Sequence, residues 1–372
     1  MFFTIFFTVW TVLHLYVFWR IASVPLVASH VSGKVILLIG VVLWTAFPLS
    51  HYLDYKGYRT IGRYLEFLGD NWLGILFLVF ICLLAVDIVT GFGFFFPRLA
   101  PTIRGWALVA GLVLSGVAFV QCLRPPVVDN FEVTMPGLPP ELDGRTIVAI
   151  ADLHLGPTVS TGWAAARVRQ VNTLNPDMIF VLGDLVEGYG STESISRFAP
   201  ILSQLSAPLG VWGVTGNHDR RAVPGQNLYD LSGIRLLHNQ WIEITPGLVL
   251  VGIDDIGHFG GASPVVPSNI HKALANLPPG AATVFLSHKP FYADTAATLG
   301  ANLMLSGHTH AGQVWPFNYI SARFNPLMSG RYDIHGMTAI VCRGTGTWGP
   351  RMRLWLPNEI LRITLRSAPG HG

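Results

Sequence analysis

Four long apolar runs fill the first third of the sequence and restrict what this part of the chain can fold into. None contains more than one Asp, Glu, Lys or Arg; they are residues 1–19, 35–53, 71–97 and 105–123. Each reaches about 20 residues, the length an α-helix needs to cross the hydrocarbon of a bilayer. A spanning helix also satisfies its own backbone hydrogen bonds. Residues 1–124 are therefore predicted to form a four-helix transmembrane region rather than buried helices of a soluble protein.

Composition supports a membrane protein and argues against a nucleic-acid partner. Charged residues make up 12% of the chain and hydrophobic residues 51%, whereas a typical charged share is about 25%. The net charge is +3. Because no run of basic residues stands out, nucleic acid is not an indicated partner.

The membrane orientation is left open by the flanking charges. With four spans, the side that holds the C-terminal part carries four basic residues, and so does the opposite side; they are Lys56, Arg59, Arg63 and Arg124 against Arg20, Lys34, Arg98 and Arg104. The positive-inside rule therefore favours neither side. The three cysteines form no CxxC pair, a pattern compatible with a reducing compartment that favours the cytoplasmic side.

Asp87 is the one charged residue inside the third apolar run. A charged side chain within a bilayer is costly and by default indicates a functional role. The alternative is that the third span ends near Asp87 and leaves residues 91–96 at the interface. The sequence does not choose between the two.

The sequence after Arg124 alternates in a way that predicts an α/β domain over residues 125–372. A proline-rich connector contains a predicted strand, Phe131–Met135. Short runs rich in Val and Ile predict buried strands; they are Ile147–Ile150, Met178–Leu182, Val211–Val214, Leu248–Ile253 and Thr283–Leu286. Longer stretches at Gly162–Leu174 and Ile195–Leu205 predict helices between them.

Leu303–Leu305 is a further short apolar run that predicts a strand. Polar residues follow directly after several of the predicted strands. These residues are Asp152, His154, Asp184, Asn217, His218, His288, His308 and His310. Ligands of open α/β sheets bind beyond the carboxyl ends of the strands. The eight side chains are therefore expected to gather at one edge.

The residue types and their spacing indicate a metal centre. Asp152 and His154 are two residues apart, as are His308 and His310, and on extended backbone this spacing places both side chains on one face. Mixed carboxylate and imidazole donors suit Mn, Fe or Zn more than Mg or Ca. Two divalent ions held by two carboxylates leave the site cationic, so it would attract an anionic phosphate.

These motifs resemble the signature of the calcineurin-like metallophosphoesterases. The resemblance covers roughly residues 130–366 and rests on Asp152-Leu-His154, Gly183-Asp184, Gly216-Asn-His-Asp219, His288 and Gly307-His-Thr-His310. Two further stretches, Val251–Asp255 and Arg343–Leu354, resemble the membrane-associated phosphodiesterases of this family. That subgroup includes enzymes that cleave the pyrophosphate of UDP-diacylglucosamine in lipid A synthesis.

The resemblance implies a fold, a location and a set of metal ligands. The fold would be a four-layer α-β-β-α sandwich, and the location a bacterial cell membrane. One metal ion, manganese, iron or zinc, would take Asp152, His154 and His310. The second would take Asn217, His288 and His308, and Asp184 would bridge the two. A hydroxide held between the ions would attack phosphorus in line.

The resemblance also implies roles for residues that do not bind metal. His218 would stabilise or protonate the leaving oxygen. Asp219 would orient His218, or instead cap a helix just past the turn. Arg343 and Arg220 are candidates for binding a phosphate group of the substrate, because the guanidinium group matches the geometry of phosphate.

The expected function is hydrolysis of a phosphodiester or pyrophosphate bond in a lipid-linked substrate. The membrane region motivates the lipid expectation, because a tethered site meets amphiphiles at high local concentration. The alternative is a non-enzymatic membrane sensor or scaffold on a phosphoesterase fold.

Overall fold

The chain divides into two compact units in a computed structural model. The structure describes residues 2–187, 192–219, 227–255 and 265–368. The first unit contains residues 1–124 together with 349–355, and the second contains residues 125–348 and 356–372. The predicted boundary at residue 124 stays a prediction, and the contact pattern assigns 349–355 to the helical unit.

The first unit is helical. Its helices are α1 Phe2–Ala22, α2 Pro25–His30, α3 Gly33–Tyr55, α4 Arg59–Thr90 and α5 Ala100–Leu123. All but the six-residue α2 are long and apolar enough to cross a membrane. Side chains of α1 and α4 dominate the buried cluster between the helices; they include Trp10, Val17, Leu76, Val79 and Leu83.

The third apolar run, 71–97, and helix α4 have different limits, and the helix ends at Thr90, near Asp87, as one of the two sequence alternatives expected. Helix α4 begins at Arg59 and has 32 residues, so it is about 48 Å long, well beyond the roughly 30 Å of bilayer hydrocarbon. The apolar run marks only the part that suits lipid, whereas polar residues in its first turns do not interrupt the helix. Gly91, in the left-handed conformation at φ 57°, ends it, and Asp87 lies inside its last turn.

The segment 349–355 packs within the helical unit although it follows the catalytic part of the sequence. Its backbone N–H groups donate to α4 and α5: Arg351 N to Asn71 Oδ1 at 2.8 Å and Arg353 N to the Ala118 carbonyl at 2.9 Å. These contacts satisfy backbone groups of an irregular segment that would otherwise be costly to bury.

The described residues of the second unit form twelve strands in two sheets. The strands are β1 Val127–Met135, β2 Thr146–Ile150, β3 Met178–Val181, β4 Val211–Gly213, β5 Arg235–Leu236, β6 Gln240–Thr245, β7 Leu248–Gly252, β8 Ala282–Leu286, β9 Leu303–Ser306, β10 Gly330–Ile334, β11 Met337–Val341 and β12 Glu359–Ser367. One sheet has the order β1-β12-β2-β3-β4-β5, and the other has the order β10-β11-β9-β8-β7-β6.

The same described ranges contain six α-helices: α6 Thr161–Asn172, α7 Thr192–Leu202, α8 Leu228–Leu231, α9 Val265–Ala273, α10 Ala293–Thr298 and α11 Phe317–Ser321. A central core joins inward side chains of both sheets, such as Phe180 and Leu250. A second core lies between the first sheet and α6–α8. A third lies between the other sheet and α9–α10. The predicted α-β-β-α sandwich is confirmed.

The sheet topology brings the predicted polar positions to one edge. Strands β2, β3 and β4 are neighbours and parallel, and so are β7, β8 and β9. Parallel strands end at the same edge of a sheet. The loops that carry Asp152, Asp184 and Asn217 therefore follow three adjacent strands, and those that carry His288 and His308 follow two adjacent strands of the facing sheet.

Candidate metal centre

Two groups of buried or half-buried side chains with metal-binding atoms form the centre of the site. Asp152, His154 and His310 make the first group, and Asp184, His288 and His308 make the second. Within each group the ligand atoms all lie within 4.8 Å of one another. The structure thus brings together six of the seven predicted ligands in the arrangement expected from the resemblance, and their role as ligands stays a prediction.

Asp184 lies between the two groups. Its Oδ2 atom is 3.1 Å from His288 Nε2 in the second group and 3.9 Å from His154 Nε2 in the first. Its other oxygen, Oδ1, accepts the backbone N–H of His218 at 2.8 Å. A carboxylate held this way can serve both sides of the centre.

The imidazoles are oriented as metal ligands require. His288 Nδ1 lies 2.8 Å from the Leu182 carbonyl, and His154 Nδ1 lies 2.5 Å from Glu187 Oε2. Such partners at one ring nitrogen fix the ring and direct the other nitrogen to a metal. The Nε2 atoms of His154 and His310 point at each other across 3.2 Å, as two ligands of one ion would.

Asn217, the seventh predicted ligand, is placed by the turn that follows β4. Its Oδ1 atom is buried and has no hydrogen-bond partner among the described residues. Orphaned buried polar atoms are costly and call for an explanation. An orphaned amide oxygen beside a carboxylate–imidazole cluster fits a bound cation, so the donor set suits the metal ions that the resemblance implies.

The electrostatics of the pocket also call for positive charge. Asp152 and Asp184 are 0% and 2% exposed. Burial raises the pKa of Asp152 to about 6, against the attraction of the His288 imidazole. Burial lowers the pKa of His288, but the charges of Asp184 and Asp152 outweigh it and raise that pKa to about 10. Buried carboxylates are stabilised by pairing or by coordinating a metal.

The backbone of the ligand loops is strained. Five predicted ligands have positive φ: Asp152, His154, Asp184, His308 and His310. The left-handed region is uncommon for residues other than glycine, and such strain clusters at functional sites. The prediction that Asp152 and His154, and His308 and His310, lie on extended backbone was therefore wrong. His308 and His310, two residues apart, join different groups instead of sharing a face.

The glycines before the ligands allow very close packing. A Cβ at Gly216 would overlap the carboxylate of Asp184, and Gly183, at φ 92°, has His288 Nδ1 and Gly216 directly beside its Cα. No residue with a side chain fits these positions without moving a ligand.

Glu187 belongs to the site and was missed by the sequence analysis. Its Oε1 atom lies 3.1 Å from His218 Nδ1, while Oε2 contacts His154. Burial raises the pKa of Glu187, but attraction to His154 and hydrogen bonds with both imidazoles outweigh it and lower the pKa to about 2. The available signal was an acidic residue three positions after Asp184 in the same loop.

The carboxylate that contacts the His218 ring is thus that of Glu187. The Asp219 carboxylate contacts backbone N–H groups and a tyrosine instead. Asp219 accepts the backbone N–H groups of Gly216 and Val186 at 2.8 and 3.2 Å and the Tyr229 hydroxyl at 2.7 Å. These bonds tie the turn after β4 to the loop after β3. The predicted roles of Asp219, orienting His218 or capping a helix, stay predictions.

The structure does not test the predicted phosphate-binding role of Arg220 or Arg343. Arg220 lies outside the described residues. Arg343 pairs with Asp129 at 2.6 Å and with Glu359 at 3.4 Å, so its guanidinium already contacts carboxylates. Its role in substrate binding stays a prediction.

Comparison with known proteins identifies the class to which this fold and site belong. The model of the calcineurin-like phosphoesterases matches residues 145–312. An uncharacterized metallophosphoesterase of Aquifex aeolicus is 30% identical over 230 residues, which cover 59% of this chain and 84% of the relative. The chain belongs to the calcineurin-like phosphoesterase family.

Membrane proteins occur among its relatives. A transmembrane protein with metallophosphoesterase domain from Bos taurus is 36% identical over 283 residues, covering 71% of this chain and 62% of the relative. One of the same description from Danio rerio is 33% identical over 274 residues, covering 70% and 62%. The chain thus matches less than two thirds of the length of these two relatives. Together with the four apolar helices, they support a membrane protein.

Proposed function

We propose that this chain is a membrane-bound binuclear-metal phosphoesterase that hydrolyses a phosphodiester or pyrophosphate bond of a lipid-linked substrate. One observation carries the proposal: two three-residue groups of ligand atoms lie side by side, with the Asp184 carboxylate between them. This arrangement suits a pair of divalent cations.

The proposed metal ligands divide between two ions. Asp152, His154 and His310 hold one, and Asn217, His288 and His308 hold the other, with Asp184 shared. When bound, the ions supply Lewis-acid activation of water and neutralise charge on the phosphoryl oxygens. Burial lowers the pKa of His308 well below its usual range, so its imidazole is neutral and able to act as a ligand.

His218 supplies the proton for the leaving oxygen. Burial lowers the pKa of His218, but its hydrogen bond and charge attraction with Glu187 outweigh it and raise that pKa to about 9. The imidazole is therefore protonated at neutral pH and can act as a general acid. Because Glu187 lies against Nδ1, the proton is transferred from Nε2.

Replacing Glu187 with glutamine should move the alkaline limb of the pH–kcat profile to lower pH. Without the carboxylate charge the His218 imidazolium is less stable, so it loses its proton at lower pH, by about one unit or more. The pH dependence of kcat on an alkyl phosphodiester measures this. Metal content is determined in parallel, because Glu187 also contacts His154. An unchanged alkaline limb with full metal content would contradict the assignment.

The enzymatic proposal is tested by metal removal and return. Full-length protein purified in detergent should hydrolyse bis-p-nitrophenyl phosphate, lose that activity after chelation, and regain it with Mn²⁺, Fe²⁺ or Zn²⁺. Bound metal without turnover on a panel of phosphomonoesters, phosphodiesters and pyrophosphates would favour a sensor or scaffold instead.

The lipid-linked substrate and the cytoplasmic side are the finer parts of the proposal. Four apolar helices in the same chain motivate the first, and a sequence with three cysteines and no CxxC pair is compatible with the second. Mass spectrometry of membrane lipids from cells with and without the protein tests the substrate. An accumulated phosphorylated lipid precursor is expected in cells that lack it, and an unchanged lipid profile would contradict the lipid assignment.

A further inference from the structure

A cluster of charged side chains lies inside the helical unit. The Asp87 carboxylate of α4 is fully buried and contacts two arginines: Arg20 Nε of α1 at 2.5 Å and Arg104 Nη2 of α5 at 2.8 Å. The Tyr16 hydroxyl donates to the same carboxylate at 2.6 Å. Arg20 and Arg104 are only 4% and 5% exposed. Three helices therefore meet at one buried ionic group.

This cluster has one positive charge more than it needs for neutrality. Two guanidinium groups face one carboxylate, which gives a net charge of +1. The pair of Asp87 and Arg104 would be neutral by itself and would already join α4 to α5. A second buried arginine adds a charge that is costly in an apolar environment. A purely structural clamp does not explain it.

Arg20 also has hydrogen-bond donors without acceptors. Both Asp87 oxygens are already in contact with donors. Within the described part of the chain, Arg20 Nη2 is buried and has no hydrogen-bond partner. The Trp19 ring covers one face of the guanidinium, with its centroid 3.7 Å from Cζ. The donors lie in the guanidinium plane, so the ring does not satisfy them, and an acceptor at the edge would.

The cluster lies close to one end of three of the helices. Arg20 is two residues before the end of α1, Asp87 is three before the end of α4, and Arg104 is four after the start of α5. The same end of the helical unit exposes large aromatic side chains, at Phe94 and Phe95. It also exposes further basic residues, at Lys34 and Arg98.

We infer that Arg20 is the centre of a binding site for the phosphate group of an anionic phospholipid. A phosphate oxygen accepts from the guanidinium edge, and the lipid's negative charge neutralises the excess charge of the cluster. Guanidinium matches phosphate in a two-pronged geometry. This site is separate from the metal centre and does not depend on the proposed catalytic activity.

Native mass spectrometry of the delipidated full-length protein tests the site. Wild-type protein should bind phosphatidylglycerol at least about tenfold more tightly than phosphatidylcholine, because bonds to a charged group contribute on that order. Arg20→Met should remove this preference, since it leaves the neutral Asp87–Arg104 pair in place. Arg98→Gln, which removes an exposed basic residue at the same end, should bind phosphatidylglycerol within about twofold of wild type.

Three results would overturn the inference. The first is a wild-type protein that binds both lipids equally, a result that needs no variant to fold. The second is a folded Arg20→Met protein, judged by its melting temperature, that keeps the preference for phosphatidylglycerol. The third is displacement of phosphatidylglycerol by equimolar inorganic phosphate, which would identify a site for a free anion instead of a lipid.

Discussion

Replacing Asp184 with asparagine should lower kcat/KM for phosphodiester hydrolysis by at least about 10³-fold, which corresponds to roughly 4 kcal/mol of transition-state stabilisation. Asparagine keeps the shape of the side chain but removes the negative charge between the two ligand groups. The amide nitrogen can also meet His288 Nε2, which lies 3.1 Å from Asp184 Oδ2. The variant should therefore bind less metal as well as turn over more slowly.

Asp177→Asn is the matched control for this variant. Asp177 precedes β3 whereas Asp184 follows it, so the two carboxylates lie at opposite ends of one strand. Asp177 accepts from Thr146 N at 2.8 Å and Arg145 Nη1 at 2.7 Å. Metal content, measured by inductively coupled plasma mass spectrometry, and kcat should stay near wild type in the control. An Asp184→Asn protein with two bound ions and activity within tenfold of wild type would refute the bridging role.

Replacing His218 with alanine should lower kcat by about 10²–10³-fold for an alkyl leaving group and by much less for p-nitrophenol. An alkoxide needs a proton as it departs, whereas p-nitrophenolate is stable without one. Because His218 is proposed to hold no metal, the metal content should not change. Comparing the two leaving groups therefore separates a proton donor from a metal ligand.

His238→Asn serves as the control for the His218 variant. His238 is an exposed imidazole in the same unit and contacts Asp254 at 2.9 Å. Its replacement should leave kcat unchanged with both leaving groups. Equal losses of activity with both leaving groups in the His218 variant, together with loss of metal, would mean that His218 binds an ion.

The sequence predicted the position of the candidate metal centre because the ends of buried strands can be identified from the sequence alone. A run such as Met178–Val181 must be buried on both faces of its sheet, so the first polar residue after it marks the edge. The same reasoning placed Asp152, Asn217 and His288. It gave positions along the chain and not directions of side chains, since it assumed extended backbone at the ligands.

The apolar runs predicted the number of candidate spanning helices. They did not predict the residues at which those helices begin and end. Hydropathy detects the segment that tolerates lipid, which in α4 is shorter than the helix itself. It could not show that Asp87 pairs with two arginines from other helices, because residues 20 and 104 lie far from it in sequence. Nor could it assign 349–355 to the helical unit, because that placement rests on tertiary hydrogen bonds.

The sequence by itself determined the family, the α/β alternation, the four apolar helices and the positions of the seven candidate ligands, because these depend on local patterns and order along the chain. Only the tertiary structure decided that five of the candidate ligands lie on left-handed backbone and not on extended backbone, and that Glu187 lies against His218. This backbone conformation is fixed by bonds between loops. Examples are Asp152 N to the Gly183 carbonyl and His154 N to the Asp184 carbonyl, both at 3.1 Å. Contacts between neighbouring strand ends exist only once the sheet has formed.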